Sequence, residues 1–171
     1  QASITCDSQD YPLPAGGLVG LAQGSIRNCY STGRISGNAD PNFIGGLVGT
    51  GDTVSQSFWD IQSSGITHSA SGTGLETELM MRQETFADWD FASVWSICDG
   101  TNYPRLQWQI PETDWVCPDG VGTEDLGHFA GRWLMDQCAV LNDCAGADLD
   151  ASGVVDMADW TLFAGRWMEG N

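Results

Sequence analysis

Twelve residues, Asp148-Leu-Asp-Ala-Ser-Gly-Val-Val-Asp-Met-Ala-Asp159, carry side-chain oxygens at positions 1, 3, 5, 9 and 12 of a loop, with glycine at position 6. A hard cation such as Ca2+ takes about six to eight oxygen ligands. One loop supplies them only if the chain reverses sharply at its middle, where glycine has no Cβ to clash. An ordinary turn would leave four carboxylates in twelve residues repelling one another, and a bound cation removes that repulsion. The spacing therefore predicts a Ca2+ site. Asp148, Asp150, Ser152 and Asp159 would offer side-chain oxygens, Val154 its backbone carbonyl, and Asp156 a direct or water-mediated contact, with Asp in place of the usual Glu at position 12.

No catalytic constellation accompanies this loop. His68 and His128 are the two histidines and fall in different predicted domains, and neither a Gly-x-Ser-x-Gly elbow nor a His-Glu-x-x-His pair occurs. The carboxylate pairs Asp88/Asp90 and Glu76/Glu78 have no histidine beside them to divide acid and base roles. Lysine is absent, which removes the P-loop and Schiff-base chemistry. With 23 acidic residues against six arginines, the net charge of −17 leaves no basic face for nucleic acid and favours divalent cations. The expectation is a protein without catalytic residues. Of the eight tryptophans, Trp95, Trp133, Trp160 and Trp167 fall on apolar stripes and read as core, whereas Trp59, Trp108 and Trp115 are open to a sugar or protein contact.

Two internal repeats must position these groups. In the C-terminal part, Leu126, Phe129, Ala130 and Trp133 recur as Trp160, Phe163, Ala164 and Trp167, each set at i, i+3, i+4, i+7. This pattern predicts two helices packed through their apolar stripes, each following a loop. In the N-terminal part, Gly16-Gly-Leu-Val-Gly20 recurs as Gly45-Gly-Leu-Val-Gly49, each copy followed by a strand-like alternation. Short glycine-punctuated strands at that period point to stacked coils of a β-solenoid. Residues 1–15, broken by Pro12 and Pro14, read as an extended arm with one short strand. Leu75 to Ala87 reads as a helix with Leu75, Leu79 and Phe86 on one face, Tyr103 to Trp108 as a closing strand, and 111–114 as a linker. The expected fold is mainly β with a small α module, divided into the arm 1–15, a β domain 16–110 and a helical module 115–171.

GGLVG followed by Cys29-Tyr-Ser-Thr-Gly33 resembles the GLUG motif of bacterial surface and secreted proteins, a likeness taken to extend over about residues 16–108. The duplicated loop-plus-helix pattern, without an entering helix before each loop, resembles the type I dockerin module over about residues 115–169. The GLUG resemblance implies an extracellular, adhesive or structural role. The dockerin resemblance implies a cohesin-like partner, contacted at loop positions 10 and 11, here Met157 and Ala158 and in the first copy Thr123 and Glu124. That first copy departs from the pattern: Asp119, Gly120 and Asp125 echo positions 5, 6 and 12, but Trp115 and Cys117 occupy positions 1 and 3 and one residue is missing. It is expected to bind calcium weakly or not at all.

Six cysteines, an even number with no CxxC pair, suggest disulfides in an oxidising compartment. A start at Gln1 fits a product whose export signal has been removed, so the expected location is extracellular or at the cell surface. The favoured pairings join Cys6 to Cys29, Cys98 to Cys117 and Cys138 to Cys144. No run of about 18 apolar residues spans a membrane. Two GGLVG copies are too few to cover a solenoid's ends, so copies of the chain itself are the expected partners, assembling head-to-tail through the arm into a filament or surface layer. The alternatives are a cohesin-like partner, a glycan, or an arm that folds back on its own domain through Cys6 and leaves a monomer.

Overall fold

The computed structural model describes residues 3–6, 13–37 and 41–170. Its contacts divide the chain into two compact units, 1–89 and 90–171, with the division upstream of the linker expected at 111–114.

In the N-terminal unit the repeat determines the pairing. The strands are β1 (Ser3–Cys6), β2 (Ala15–Gly16), β3 (Val19–Leu21), β4 (Ile26–Arg27), β5 (Tyr30–Ser31), β6 (Arg34–Gly37), β7 (Ile44–Gly45), β8 (Val48–Thr50), β9 (Val54–Ser55) and β10 (Phe58–Asp60). Every strand from β2 to β5 lies parallel to its counterpart one repeat later: Ala15 opposite Ile44, Val19 opposite Val48, Ile26 opposite Val54, and Tyr30 opposite Phe58. The strands are short because the chain turns at the same place in each copy, through left-handed Asn28 (φ 53°) and Gln56 (φ 46°). Between the copies Leu47, Val48 and Trp59 form a core with Val19, Ile26, Val54 and Ile61 packed on it.

The far side of the second copy is covered. Strand β11 (Thr73–Leu75) pairs parallel with β10, and the segment before it donates Ala70 N–H to Val48 O while His68 O accepts from Gly46. Ser69 Oγ takes Val48 N–H at 2.9 Å. Leu47 is consequently fully buried, whereas its equivalent Leu18 in the first copy is 43% exposed. Helix α1 (Ile61–Ser64) is capped by Asp60, whose Oδ1 accepts from Gln62 and Ser63, and ends at left-handed Gly65. The helix expected from Leu75 to Ala87 is instead α2 (Thr77–Met80) followed by a 3₁₀ turn, Gln83–Phe86. Thr85 Oγ1 donates to the Leu79 carbonyl at 2.6 Å, so the chain turns there. Met80 and Phe86 are buried and Leu79 faces solvent. Phe58, Phe86 and Trp89 pack as one aromatic cluster, with Phe86 and Trp89 4.7 Å apart.

Strand β1 pairs parallel with β6, Ser3 opposite Arg34 and Cys6 opposite Gly37, so the arm strand returns to its own chain. The rest of the arm at 7–12, including Pro12, lies outside the described residues. Cys29 is a free thiol whose Sγ donates to Arg27 O, and the expected Cys6–Cys29 bridge is not formed. The register carries Cys6 to the end of β6, whereas Cys29 sits between β4 and β5.

The C-terminal unit contains the antiparallel pair β12 (Trp95–Ser96) and β13 (Arg105–Leu106), then α3 (Thr123–Ala130), α4 (Asn142–Gly146) and α5 (Met157–Gly165). Element α4 is a left-handed turn at Asp143, Cys144 and Ala145. It carries Cys144, which is bridged to Cys138, and a second disulfide joins Cys98 to Cys117, two of the three favoured pairings. Phe129 of α3 and Phe163 of α5 stack at 5.3 Å over a core of Val121, Cys138, Cys144, Ala147 and Val155. The two halves are related by the same constant offset that carries Phe129 to Phe163, and their backbone bonds are reciprocal: Val155 exchanges hydrogen bonds with Leu134 and Met135, while Val121 does so with Met168 and Glu169. Many short strands, small helices and no closed barrel characterise the described residues. No helix among them is long and apolar enough to cross a membrane.

Candidate metal centre

The loop 148–159 is organised by its first and last residues. Asp159, fully buried in the first turn of α5, accepts Leu149 N–H at 2.7 Å and Asp150 N–H at 3.2 Å on Oδ1, and Asp156 N–H at 2.8 Å on Oδ2. Asp148 accepts from Ser152 on Oδ1 and from Gly153 on Oδ2, which holds the chain reversal at left-handed Gly153 (φ 95°). These bonds bring carboxylate oxygens of Asp148, Asp150 and Asp159 within 4.8 Å of one another. Calcium–oxygen distances are about 2.3 to 2.6 Å, so ligands on opposite sides of one ion stand about 5 Å apart, and this cluster fits that span. Ser152 Oγ donates to the Val154 carbonyl at 3.1 Å, which keeps these two predicted ligands adjacent. Asp156 stands apart from the three clustered carboxylates. It is the N-cap of α5, and its side chain accepts from Ala158 at 2.7 Å.

The same framework exists one repeat earlier, in a register that corrects the sequence alignment. Asp125 Oδ1 accepts from Trp115 and Val116 and its Oδ2 from Gly122, matching the three bonds of Asp159. Asp114 Oδ2 accepts from Gly120, at position 7, at 3.0 Å, a bond like that from Gly153 to Asp148 but one residue further along the loop. The first loop is therefore 114–125, twelve residues with none missing, and Asp114 rather than Trp115 holds position 1. Trp115 is a core residue, its ring stacked 5.6 Å from Phe163 and 4.7 Å from His128. Asp114 escaped the sequence pattern because the local match Asp119-Gly120 looks like positions 5 and 6. The offset that relates Phe129 to Phe163 also relates Asp114 to Asp148 and would have found it.

At positions 3, 5 and 9 the first loop has Val116, Pro118 and Gly122, which bring no side-chain oxygen. Other groups hold it. The Pro118 carbonyl accepts from Asn102 Nδ2 at 2.8 Å and Arg105 Nη1 at 3.2 Å, and Cys117 is tied to Cys98. Asp114 Oδ1 is sealed from solvent without a hydrogen-bond partner. Burial raises the Asp114 carboxyl to about 6, with Asp125 and Asp119 adding to the rise and the Gly120 N–H and Arg105 opposing it. An Asp with a folded pKa above its unfolded value of about 4 binds its proton more tightly when folded. It thus supports folding below about pH 4 and loses that contribution as pH rises through 6. The residue is only half-buried, so solvent screening reduces the effect to about 1 kcal/mol. In urea denaturation with chelator present, Asp114→Asn should gain about that much relative to the native chain between pH 4 and 7. Parallel pH profiles for the two proteins would contradict this assignment.

Residues 15–36, the first copy of the repeat, match the family model of the GLUG motif. The chain is also 35% identical over 99 residues to a protein of Evansella cellulosilytica whose name describes a Gly-rich membrane protein, an alignment covering 53% of this chain and 11% of that one. The chain thus spans about a tenth of the length of this curated relative. No solved structure matches it.

Proposed function

We propose that this is a non-catalytic extracellular assembly protein in which a short β-solenoid of GLUG repeats is joined to a calcium-stabilised, dockerin-like pair of loop–helix units. The observation that carries the reading is the convergence of Asp148, Asp150 and Asp159 within 4.8 Å, on a loop whose sequence positions match those of a calcium loop. Calcium bound there would act structurally. It would neutralise the clustered carboxylates and hold the start of α5, and a cation that binds only the folded state stabilises it by mass action. Self-association is supported by the uneven covering of the two coils. Leu18 and Leu21 remain exposed where Leu47 is covered, and a second copy offers the matching coil surface. Because β1 pairs with β6 of its own chain, head-to-tail assembly takes the form of an exchange in which β1 pairs with β6 of the next copy.

Light scattering and negative-stain microscopy of the full chain, beside a version beginning at Ala15, test this reading. Calcium should produce larger assemblies of the full chain and not of the shortened one. Monodisperse monomers for both, with calcium present, would sink it. A second reading, docking to a cohesin-like partner, is favoured by one observation. An apolar cleft of about 390 Å³ lies between α3 and α5, lined by Leu126, Phe129, Ala130, Trp133, Met157 and Trp160. It includes Met157, one of the positions at which the dockerin resemblance implies partner contact.

A further inference from the structure

Packing accounts for most of the tryptophans, although Trp133 and Trp167, expected in the core, only edge it and stay 40% exposed, and Trp108 is the most exposed of all. Trp59 and Trp89 are buried in the N-terminal unit, Trp95 is half-buried in β12, and Trp115, Trp133, Trp160 and Trp167 pack on Phe129 or Phe163. The openness that the sequence left to Trp59 and Trp115 is therefore gone. Trp108, in the 3₁₀ turn Gln107–Gln109, is 79% exposed. It borders a cleft of about 300 Å³ within the C-terminal unit, whose polar lining comes from Gln109, Glu112, Arg166 and Glu169. From this arrangement we infer that the Trp108 cleft is a binding site for a neutral saccharide.

Two contacts tie part of this lining to the chain around it. Arg166 Nη2 meets Glu112 Oε2 at 3.3 Å, and Gln109 Oε1 accepts Leu106 N–H at 3.3 Å, so the carboxamide NH₂ is the group left to donate. The backbone behind these side chains is fixed as well. Ile110 N–H bonds to Gln107 O, Glu169 N–H to Arg166 O, and Val121 N–H to Glu169 O. A held backbone keeps these side chains around one cleft, which lowers the cost of ordering them on a small ligand.

The ligand class follows from chemistry. A pyranose presents an apolar C–H face, which stacks on an indole, and a rim of hydroxyls, each both donor and acceptor. Glu112 and Glu169 accept, while Arg166 and Gln109 donate, so the cleft offers both halves of what a hydroxyl rim needs. An ammonium ion or lysine side chain would also be drawn to an indole between carboxylates. It only donates, however, and here it would meet a guanidinium already seated on Glu112. Anionic polymers are opposed by the two carboxylates and by the net charge of −17. The volume lies at the lower end for small-ligand sites, which suits one sugar ring better than a folded partner.

The test is a titration of the full chain, with calcium present, by cello-, xylo-, malto- and mannotetraose, a lysine-rich hexapeptide and oligogalacturonate, followed through the indole Nε1–H resonances. At least one neutral tetraose should shift the Trp108 resonance. Trp108→Ala should weaken its binding at least tenfold, and Trp108→Phe, which keeps a smaller ring, should fall between. Trp108 is exposed, so both variants should keep the native calcium-dependent melting profile, which separates this site from the proposed metal centre. Three results would each overturn the assignment: no neutral tetraose moving Trp108, native-like sugar binding by Trp108→Ala, or binding at Trp108 by the hexapeptide or the galacturonate in place of the neutral sugars.

Discussion

Asp159→Asn is expected to abolish the calcium-induced rise in melting temperature of the C-terminal unit, while Asp125→Asn leaves it intact. The two residues occupy equivalent places, each at position 12 of its loop, each buried, and each accepting three backbone N–H groups. As scaffolding they are therefore near duplicates. Alanine at either site leaves three donors without their partner, at about 1 to 3 kcal/mol for each one that solvent does not reach, so a loss of about 4 kcal/mol is expected from both. Asparagine keeps an acceptor oxygen and the shape, and both Asn variants should fold. The difference lies in the neighbours. Asp159 shares its loop with Asp148 at position 1 and Asp150 at position 3, whereas Asp125 has Asp114 at position 1 but Val116 at position 3 and Pro118 at position 5, so one carboxylate and the hydroxyl are missing. At a calcium concentration a thousandfold above Kd, the bound ion contributes about 4 kcal/mol. Calorimetric melting with calcium and with chelator reads that difference directly. A calcium response that survives Asp159→Asn, or one that vanishes in Asp125→Asn, would remove the proposed ion from the loop 148–159.

The clustering of Asp148, Asp150 and Asp159 is legible in the sequence because all three fall within one twelve-residue stretch, where spacing carries much of the geometry. The first loop is not. Its cation-bearing partner Arg105 and its covalent tie Cys98 lie outside the loop, and a motif scanned within twelve residues does not see them. The parallel stacking of the two GGLVG copies is likewise readable, since a repeat of fixed length pairs each strand with its own counterpart. A fold-back of the arm is one of the two readings its sequence allows, and the structure has β1 return to β6. Which strand it meets depends on a long-range pairing that a polar, proline-broken arm does not announce. The stretch after Leu75 has helical periodicity, yet the structure ends α2 after four residues, where the Thr85 hydroxyl takes the Leu79 carbonyl. Periodicity reports which side chains are apolar, and a local side-chain bond of this kind can still redirect the backbone. Trp115 shows the same limit: an aromatic residue inside a loop gives no sign in sequence that two phenylalanines from different helices will stack on it.

Gly46→Ala should destabilise the N-terminal unit by about 3 kcal/mol, the upper part of the range for overpacking a core, while Gly24→Ala should be close to neutral. Both are glycines of the repeat region, and composition alone would treat them alike. A Cβ on Gly46 would fall inside the indole of Trp59, meeting Cδ1, Nε1 and Cγ of a ring that is itself buried. The indole cannot move aside easily, because its Nε1–H donates to Ile66 O at 2.9 Å and its ring packs beside Leu47 and Val48. On the far side Gly46 N–H is bonded to His68 O, so the backbone is also held. Gly24 sits at a turn with no atom within 4 Å of where its Cβ would be, and there alanine adds only a small loss of unfolded-chain freedom. Circular dichroism and urea melts of the two variants compare them under identical conditions. The N-terminal transition should shift strongly in the first and hardly at all in the second, with the calcium-dependent melting of the C-terminal unit unchanged in both. A Gly46→Ala protein as stable as its parent would mean that Trp59 does not pack against the second GGLVG turn, and that the glycines are there for the turn alone.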